Sequence, residues 1–268
     1  MKRCFLCFLG WISVCGLASA QLRVPQLGFA RFSDGSVHAI RGVAANLLVD
    51  AAVMGVADYV SFADSGGLVS SNGLIRLMSA DGKVLGEYQS DEPLPILDID
   101  SSLTTAVVWL PGKHLLLNWN GNRFTATSVD DSAFGGAVIF VRLASANTAQ
   151  FFVRLADSSV ARLSVALPSG GLISSDVQPG ISGMVFAQQG WVISQAPHGL
   201  VAELANGQRQ TIELSKAELG VNDLTIERMS SNWLHVSSRS MGINWAINLS
   251  GAKASVWLLP PPLHEAAQ

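Results

Sequence analysis

The chain contains 268 residues, of which 49% are hydrophobic and only 14% are charged, and its formal net charge is −3. Its basic residues form no stripe or cluster, which argues against nucleic acid as a partner, because such a partner requires a positive surface. The high apolar fraction is typical of strands that are buried between stacked sheets.

Residues 1–20, MKRCFLCFLGWISVCGLASA, have the pattern of a secretory signal peptide. Two basic residues precede an apolar run of about 13 residues, which is shorter than the roughly 20 that a membrane-spanning helix needs. Ala18 and Ala20 supply the small residues for cleavage before Gln21. We expect export to the periplasm or the medium and no transmembrane segment after cleavage. An uncleaved N-terminal anchor is the alternative.

All three cysteines lie inside this N-terminal segment, so the cleaved chain has none. An exported protein without cysteines cannot use disulfides and relies on its core. Lipid attachment at Cys15 is a further alternative. Val14 departs from it, because such sites usually place a small residue before the cysteine.

Six stretches of alternating apolar residues around a tight polar turn recur along the chain. The clearest is LIRLMSADGKVLGEY, residues 74–88, where the pair Asp81-Gly82 is a strong β-hairpin signal. The turns centre on residues 34, 81, 120, 157, 206 and 250. They recur about every 43 residues, which is the period of a four-stranded β-propeller blade.

The predicted strands follow these hairpins in chain order. After the first hairpin, residues 28–40, residues 41–57 are predicted as one strand at 45–49 and a loop, with a short helix as the alternative. From residue 58, most units place two strands before their hairpin: 59–63 and 68–70, 96–99 and 105–110, 183–187 and 191–194, and 224–229 and 233–237. Before the hairpin at 151–167, residues 137–143 are predicted as the second strand and the first is unclear. Residues 168–180 are predicted as a long connection.

This pattern predicts an all-β fold, a single β-propeller of about six four-stranded blades over residues 21–262, with a tail at 263–268. The first hairpin lacks an obvious inner pair of strands. The ring therefore has six positions with one incomplete blade, or five blades with an added hairpin. Proline cannot donate to a ladder, so Pro260-Pro261-Pro262 ends the last strand.

The whole of residues 21–262 resembles secreted bacterial β-propellers built from divergent repeats. The resemblance rests on the period, the strands per unit and the hairpin turns, since no unit carries the Gly-His and Trp-Asp dipeptides of WD repeats. It implies a fold and export, and little about activity.

Polar residues that could form a site lie between the second strand and the hairpin of a unit, or between units. His114 and His198 each end such a loop, while Asp91-Glu92 and Asp130-Asp131 lie between units. Because alternate connections end on alternate faces of the ring, all of these are predicted on one face and the tight turns on the other. The candidate binding residues are His114, His198, Arg239, Asp130 and Asp131. Two unrelated surface histidines and ordinary solvated carboxylates are the alternative.

Motifs for catalysis and for cofactors are missing. No histidine pair has metal-ligand spacing, and there is neither a Gly-x-Ser-x-Gly elbow nor a glycine-rich phosphate loop. We therefore expect no catalytic residue, no metal and no cofactor. Trp191 and Trp233 begin the same strand in consecutive units, which predicts packing between blades.

The leading hypothesis is an exported, monomeric, non-enzymatic propeller that binds or scaffolds a protein or glycan partner. One alternative is a propeller-type glycoside hydrolase or lyase acting on polysaccharide, in which two carboxylates meet at the central mouth. Another is a subunit of an envelope assembly complex, docked through an exposed apolar patch on the rim.

Overall fold

The structure, a computed structural model, describes residues 24–263 apart from residues 44, 168, 189, 197 and 215–222. The predicted signal peptide and most of the predicted tail lie outside the described residues. The described residues form six antiparallel sheets arranged as a six-bladed β-propeller, which confirms the predicted fold class.

In every blade the strands pair in sequence order. Blade 1 consists of β1 (Gln26–Arg31), β2 (Val37–Val43) and β3 (Asn46–Met54). Blade 2 consists of β4 (Tyr59–Ala63), β5 (Gly66–Ser71), β6 (Leu74–Ser79) and β7 (Val84–Gln89). Blade 3 consists of β8 (Ile96–Ile99), β9 (Ala106–Leu110), β10 (Leu115–Trp119) and β11 (Phe124–Ser128).

The second half of the ring repeats this plan. Blade 4 consists of β12 (Gly136–Ser145), β13 (Thr148–Leu155), β14 (Ser159–Ala166) and β15 (Leu172–Ser182). Blade 5 consists of β16 (Val185–Gln188), β17 (Trp191–Ala196), β18 (Gly199–Leu204) and β19 (Arg209–Glu213). Blade 6 consists of β20 (Leu224–Arg228), β21 (Trp233–Ser238), β22 (Ile243–Asn248) and β23 (Ser255–Leu258). Short 3-10 helices lie at Pro111–Lys113 and Asp131–Phe134.

Helices play almost no part in the fold. Within the described ranges, no helix has the length and apolar character that crossing a membrane would require.

The strands stack into an apolar interior between blades. In β9 all five side chains are buried, because a strand between two stacked blades is covered on both faces. Trp191 is only 2% exposed and belongs to the apolar cluster that joins blades 4, 5 and 6, which confirms its predicted role. Trp233 also packs against an apolar cluster between two blades, blades 1 and 6, but its side chain is only half-buried and its ring lies against that of Trp257 at a centroid distance of 5.3 Å.

Blade 1 has no inner strand among the described residues. The first strand of every other blade lines the centre, whereas β1 lies beside β21, the second strand of blade 6. The inner strands β20 and β4 contact each other next to it, and the N–H of Phe29 donates to the carbonyl of Met229 at 3.1 Å. Apolar clusters seal blade 1 against both neighbours. The ring therefore has six positions with one incomplete blade, and the five-blade alternative is wrong.

Three local predictions differ from the structure. Residues 46–54 form the long strand β3, which agrees with the predicted strand at 45–49 but extends into the predicted loop and excludes the helix alternative. In blade 4, β12 is the inner strand, and the predicted connection 168–180 contains the outer strand β15. The side chains of β15 are mostly exposed, so it lacks the buried apolar pattern that marks other strands. The alternation of Asp98 and Asp100 in the sequence predicts that both lie on one face of a strand, but Asp100 lies beyond the end of β8 and does not share a strand with Asp98.

Successive strands cross the ring in opposite directions, so their turns alternate between two faces. The connection face carries the links between blades and the turns between second and third strands; the hairpin face carries the remaining turns. Hydrogen bonds join turns of one face, as from the N–H of Val129 to the carbonyl of His114 at 3.0 Å. The turns at 81, 120, 206 and 250 lie on the hairpin face, as predicted. The turn at 157 joins the second and third strands of blade 4. The turn at 34 joins β1 and β2, which occupy the second and third positions of the incomplete blade 1. Both turns therefore lie on the connection face, against the prediction.

Candidate functional site

The loop between β9 and β10 presents His114 on the connection face. Pro111 ends the strand and begins a 3-10 turn, because its ring fixes φ and its nitrogen has no proton for the ladder. The turn ends at His114, whose φ of 52° is left-handed and whose N–H donates to the carbonyl of Pro111. The side chain of His114 is 60% exposed, so it is accessible to a partner.

The connection between blades 3 and 4 lies directly beside this loop. Nδ1 of His114 is 2.9 Å from a carboxylate oxygen of Asp131. Asp130 precedes the 3-10 helix and accepts hydrogen bonds from the hydroxyl and the N–H of Ser132, and these bonds lower the pKa of the Asp130 carboxyl. The structure thus brings together three of the five predicted residues.

The connection between blades 2 and 3 supports the same loop from the other side. The ammonium of Lys113 contacts the carboxylate of Asp91; this hydrogen bond lowers the pKa of Asp91 and raises that of Lys113. A carboxylate oxygen of Glu92 accepts the N–H of Gly112 at 2.8 Å. The loop at residues 111–114 is therefore held by side chains of both adjacent connections.

His198 and Arg239 lie on the same face but apart from this group. His198 is exposed in the turn between β17 and β18, and Arg239 is exposed in the turn between β21 and β22. The N–H of Arg239 donates to the carbonyl of Asp223 at 3.3 Å. Within the described ranges, no hydrogen bond or ion pair joins either residue to His114. A binding role for the five residues stays a prediction.

The inner strands carry a set of ion pairs that the sequence analysis missed. Arg228 of β20 pairs with Asp98 of β8 at 2.6 Å, although 130 positions separate them in the chain. Because blades 3 and 6 lie opposite each other, this pair spans the centre. The second carboxylate oxygen of Asp98 accepts the N–H of Leu143. Burial raises the pKa of the Asp98 carboxyl, and the charge of Arg228 opposes that shift.

A second buried pair lies beside the first. Arg31 of β1 donates to Glu227 of β20 at 2.7 Å, and its guanidinium lies 5.8 Å from the ring centroid of Tyr59. We call the four residues Asp98, Arg228, Arg31 and Glu227 the channel clasp. A cavity of about 150 Å³ remains among the inner strands, with Glu227 and Arg228 in its wall.

The clasp could not be found from the sequence, because each pair joins different repeats. The signals in the sequence are charged residues inside short apolar strands, in β8, ILDI, and in β20, LTIER. Three pairs of carboxylates are candidates for polysaccharide cleavage. Asp91, Glu92, Asp130 and Asp131 do not line the central cavity and bind neighbouring loop residues of the connection face. Of the third pair, Asp98 lies among the inner strands, where Arg228 binds it, and Asp100 accepts hydrogen bonds within the turn after β8.

Comparisons with known proteins identify a fold. No protein-family profile matches the chain, and a search of curated proteins finds no relative. A chain in the crystal structure of a nidogen/laminin complex has a TM-score of 0.56 at 11% identity, covering 87% of this chain and 92% of that chain. The Aleuria aurantia lectin in complex with Fucalpha1-6GlcNAc has a TM-score of 0.49 at 13% identity, covering 87% and 91%. BamB from Moraxella catarrhalis has a TM-score of 0.38 at 14% identity, covering 88% and 91%.

At these identities a structural likeness bears on the fold alone. The strand order of the six sheets is that of a β-propeller, and the alignment with the nidogen/laminin chain covers most of both chains, so the predicted fold-level resemblance is confirmed. By its fold, this chain is a six-bladed β-propeller.

Proposed function

We propose that this chain is an exported, non-enzymatic β-propeller that binds a protein partner through its connection face. The contacts assigned to that face are His114, Asp130 and Asp131, with His198 and Arg239 further round the ring. Export rests on the signal-peptide pattern of residues 1–20.

The observation that carries the proposal is the support of the loop at residues 111–114. Lys113 and Gly112 are held by the connection before the blade, and His114 by the connection after it. An exposed group that is already ordered loses little conformational entropy on binding. A rigid scaffold with charged, differing loops is the usual arrangement for recognition in a repeat fold.

The test is affinity capture of a partner from the envelope and medium of the producing cell, using residues 21–268 as bait. A variant with all five assigned residues changed to alanine is expected to lose the captured protein. The matched control changes five exposed residues of hairpin-face turns to alanine: Lys83, Asn122, Arg123, Gln208 and Lys253. Loss with the control, or retention with the first variant while its melting temperature is unchanged, would place the interface elsewhere. Recovery of a glycan alone would also contradict the proposal.

One observation favours a second candidate, docking by the rim in an envelope complex. The outer strand β15 exposes Leu172, Ile173 and Val177, and its outer edge pairs with no strand of the described chain. Apolar side chains on an open strand edge are typical of surfaces that another chain covers. Replacing these three residues with serine is expected to abolish capture if the rim is the interface and to leave capture intact if the connection face is.

A further inference from the structure

A cavity of about 430 Å³ lies at the seam between blades 4 and 5. Its charged wall residues are Arg142, Arg162 and Glu203. The neighbouring turn residues, Gly190 and Ala205, belong to the hairpin face, so the cavity opens opposite the proposed partner surface. Its volume is within the range of small-molecule sites, roughly 300–1,000 Å³.

Among the residues that the structure describes, none forms an ion pair with Arg142 on the inner strand β12. Only its Nε has a hydrogen-bond partner among the described residues, the side-chain oxygen of Gln150 at 2.8 Å. The nearby carboxylate of Asp98 is bound by Arg228 instead. Burial lowers the pKa of Arg142, and the charges of Arg162 and Arg228 act in the same direction. Four donors of a partly buried guanidinium therefore remain for a ligand.

Arg162, on β14, supplies a second cation, which contacts the carboxylate of Asp176. One terminal nitrogen donates to Asp176 on β15 at 3.1 Å, and the amide of Gln178 donates to the same carboxylate oxygen at 2.7 Å. Asp176 holds Arg162 in place but does not line the cavity. An arginine fork that is anchored at one edge can offer its other donors to a carboxylate.

Glu203, on β18, faces the same space from blade 5. Among the described residues it has no salt bridge within 4.0 Å, so neither arginine of the cavity neutralises it. The charged groups of the cavity wall are thus two cations and one carboxylate, and the side chain of Gln178 also lines the cavity. A simple inorganic anion would satisfy the arginines and would be repelled by Glu203. A carboxylate that also carries hydroxyl groups would satisfy all three.

We propose that the seam between blades 4 and 5 binds a small sugar acid, whose carboxylate contacts Arg142 and Arg162 and whose hydroxyls donate to Glu203. The site does not depend on the proposed partner surface, which lies on the other face.

The test is calorimetric titration of residues 21–268 with glucuronate, galacturonate and gluconate, and with glucose as the neutral control. At least one acid is expected to bind, and glucose at least tenfold more weakly. Arg142→Gln and Arg162→Gln are each expected to weaken the acid at least tenfold. Arg123→Gln removes the same charge from an exposed turn and is expected to change nothing. If Arg142→Gln does not fold, Arg162→Gln decides, because Arg162 is 35% exposed and lies at the surface.

Glu203→Gln separates a sugar acid from any oxyanion. The variant is expected to weaken the acid, because an amide with one neutral acceptor oxygen replaces a charged carboxylate that accepts from hydroxyls through two oxygens. It is expected to strengthen sulfate, because it removes a repelling charge. Tighter binding of both ligands would overturn the role of the hydroxyls. Absence of binding by all three acids, equal binding of glucose, or unchanged binding in Arg162→Gln would overturn the site.

Discussion

The channel clasp and the connection-face loop use the same chemistry in opposite environments. In the clasp, the side chains of Arg228 and Asp98 are 11% and 5% exposed. On the connection face, those of Lys113 and Asp91 are 37% and 85% exposed. A buried charge that loses its partner cannot return to water, whereas an exposed one is solvated at once. The burial of an ion pair therefore determines how much stability is lost when one of its partners is removed.

The largest effect is expected from Arg228→Ala, which leaves Asp98 buried without its cation. Breaking a buried pair from one side costs ~3–5 kcal/mol of unfolding free energy. Urea denaturation followed by tryptophan fluorescence measures it. The double variant Asp98→Leu/Arg228→Met is expected to regain most of that stability, because both charges are gone. A loss below 1 kcal/mol for Arg228→Ala would show that the pair is solvated.

Two tryptophan variants test the same contrast between buried and more exposed side chains, in this case without a change of charge. Trp191→Ala is expected to cost ~3–5 kcal/mol, because it empties a buried site between blades. Trp233→Ala is expected to lower the free energy of unfolding by distinctly less, because the ring of Trp233 is only half-buried and so removes less apolar surface from water, part of it against Trp257. The same urea titration compares the two. Equal losses of unfolding free energy would show that the exposure of a tryptophan side chain does not determine its contribution to stability in this fold.

Local signals account for what the sequence predicted well. The tight turn at Asp81-Gly82 needs a residue with positive φ, and Gly82 has a φ of 82°. Two residues of the sequence are therefore enough to predict the turn. The strands of blades 2, 3, 5 and 6 follow the predicted order for the same reason. In blade 4 the predicted strand assignment is one position out of step, because the outer strand β15 is mostly exposed and its composition resembles that of a loop.

The sites depend on contacts that no local pattern reveals. The sequence grouped His114 with Asp130 and Asp131 through their place in the repeat, and the structure brings these three together. It could not pair Asp98 with Arg228, or place Arg142 beside Glu203 across a seam, because each contact joins different blades.

A smaller loss of stability is expected when acid protonates the carboxylate of Asp223 on the connection face. Hydrogen bonds from the hydroxyl of Ser238 and from Ser240 lower the pKa of its carboxyl below the ordinary 3.8. The stability from these bonds is therefore present above pH 3.8 and is lost as pH falls through the folded-state pKa. In Asp223→Asn, the stability difference from the parent is expected to shrink over that range. Urea midpoints between pH 2 and 6 measure it, and a difference independent of pH would contradict the assignment.

The smallest effect is expected from Lys113→Ala. Its partner Asp91 remains in water, so the urea midpoint is expected to stay unchanged within error. A shift as large as that of Arg228→Ala would remove the distinction between the two environments.

The clasp also bears on how long the ring lasts once it is made. Hairpins close within short stretches of chain and form early, whereas Asp98 and Arg228 meet only after blades 3 and 6 are both in position. A contact absent from the transition state leaves the rate of assembly almost unchanged and slows disassembly. We expect the clasp to act on the lifetime of the closed ring, so its loss would appear as faster opening rather than slower folding.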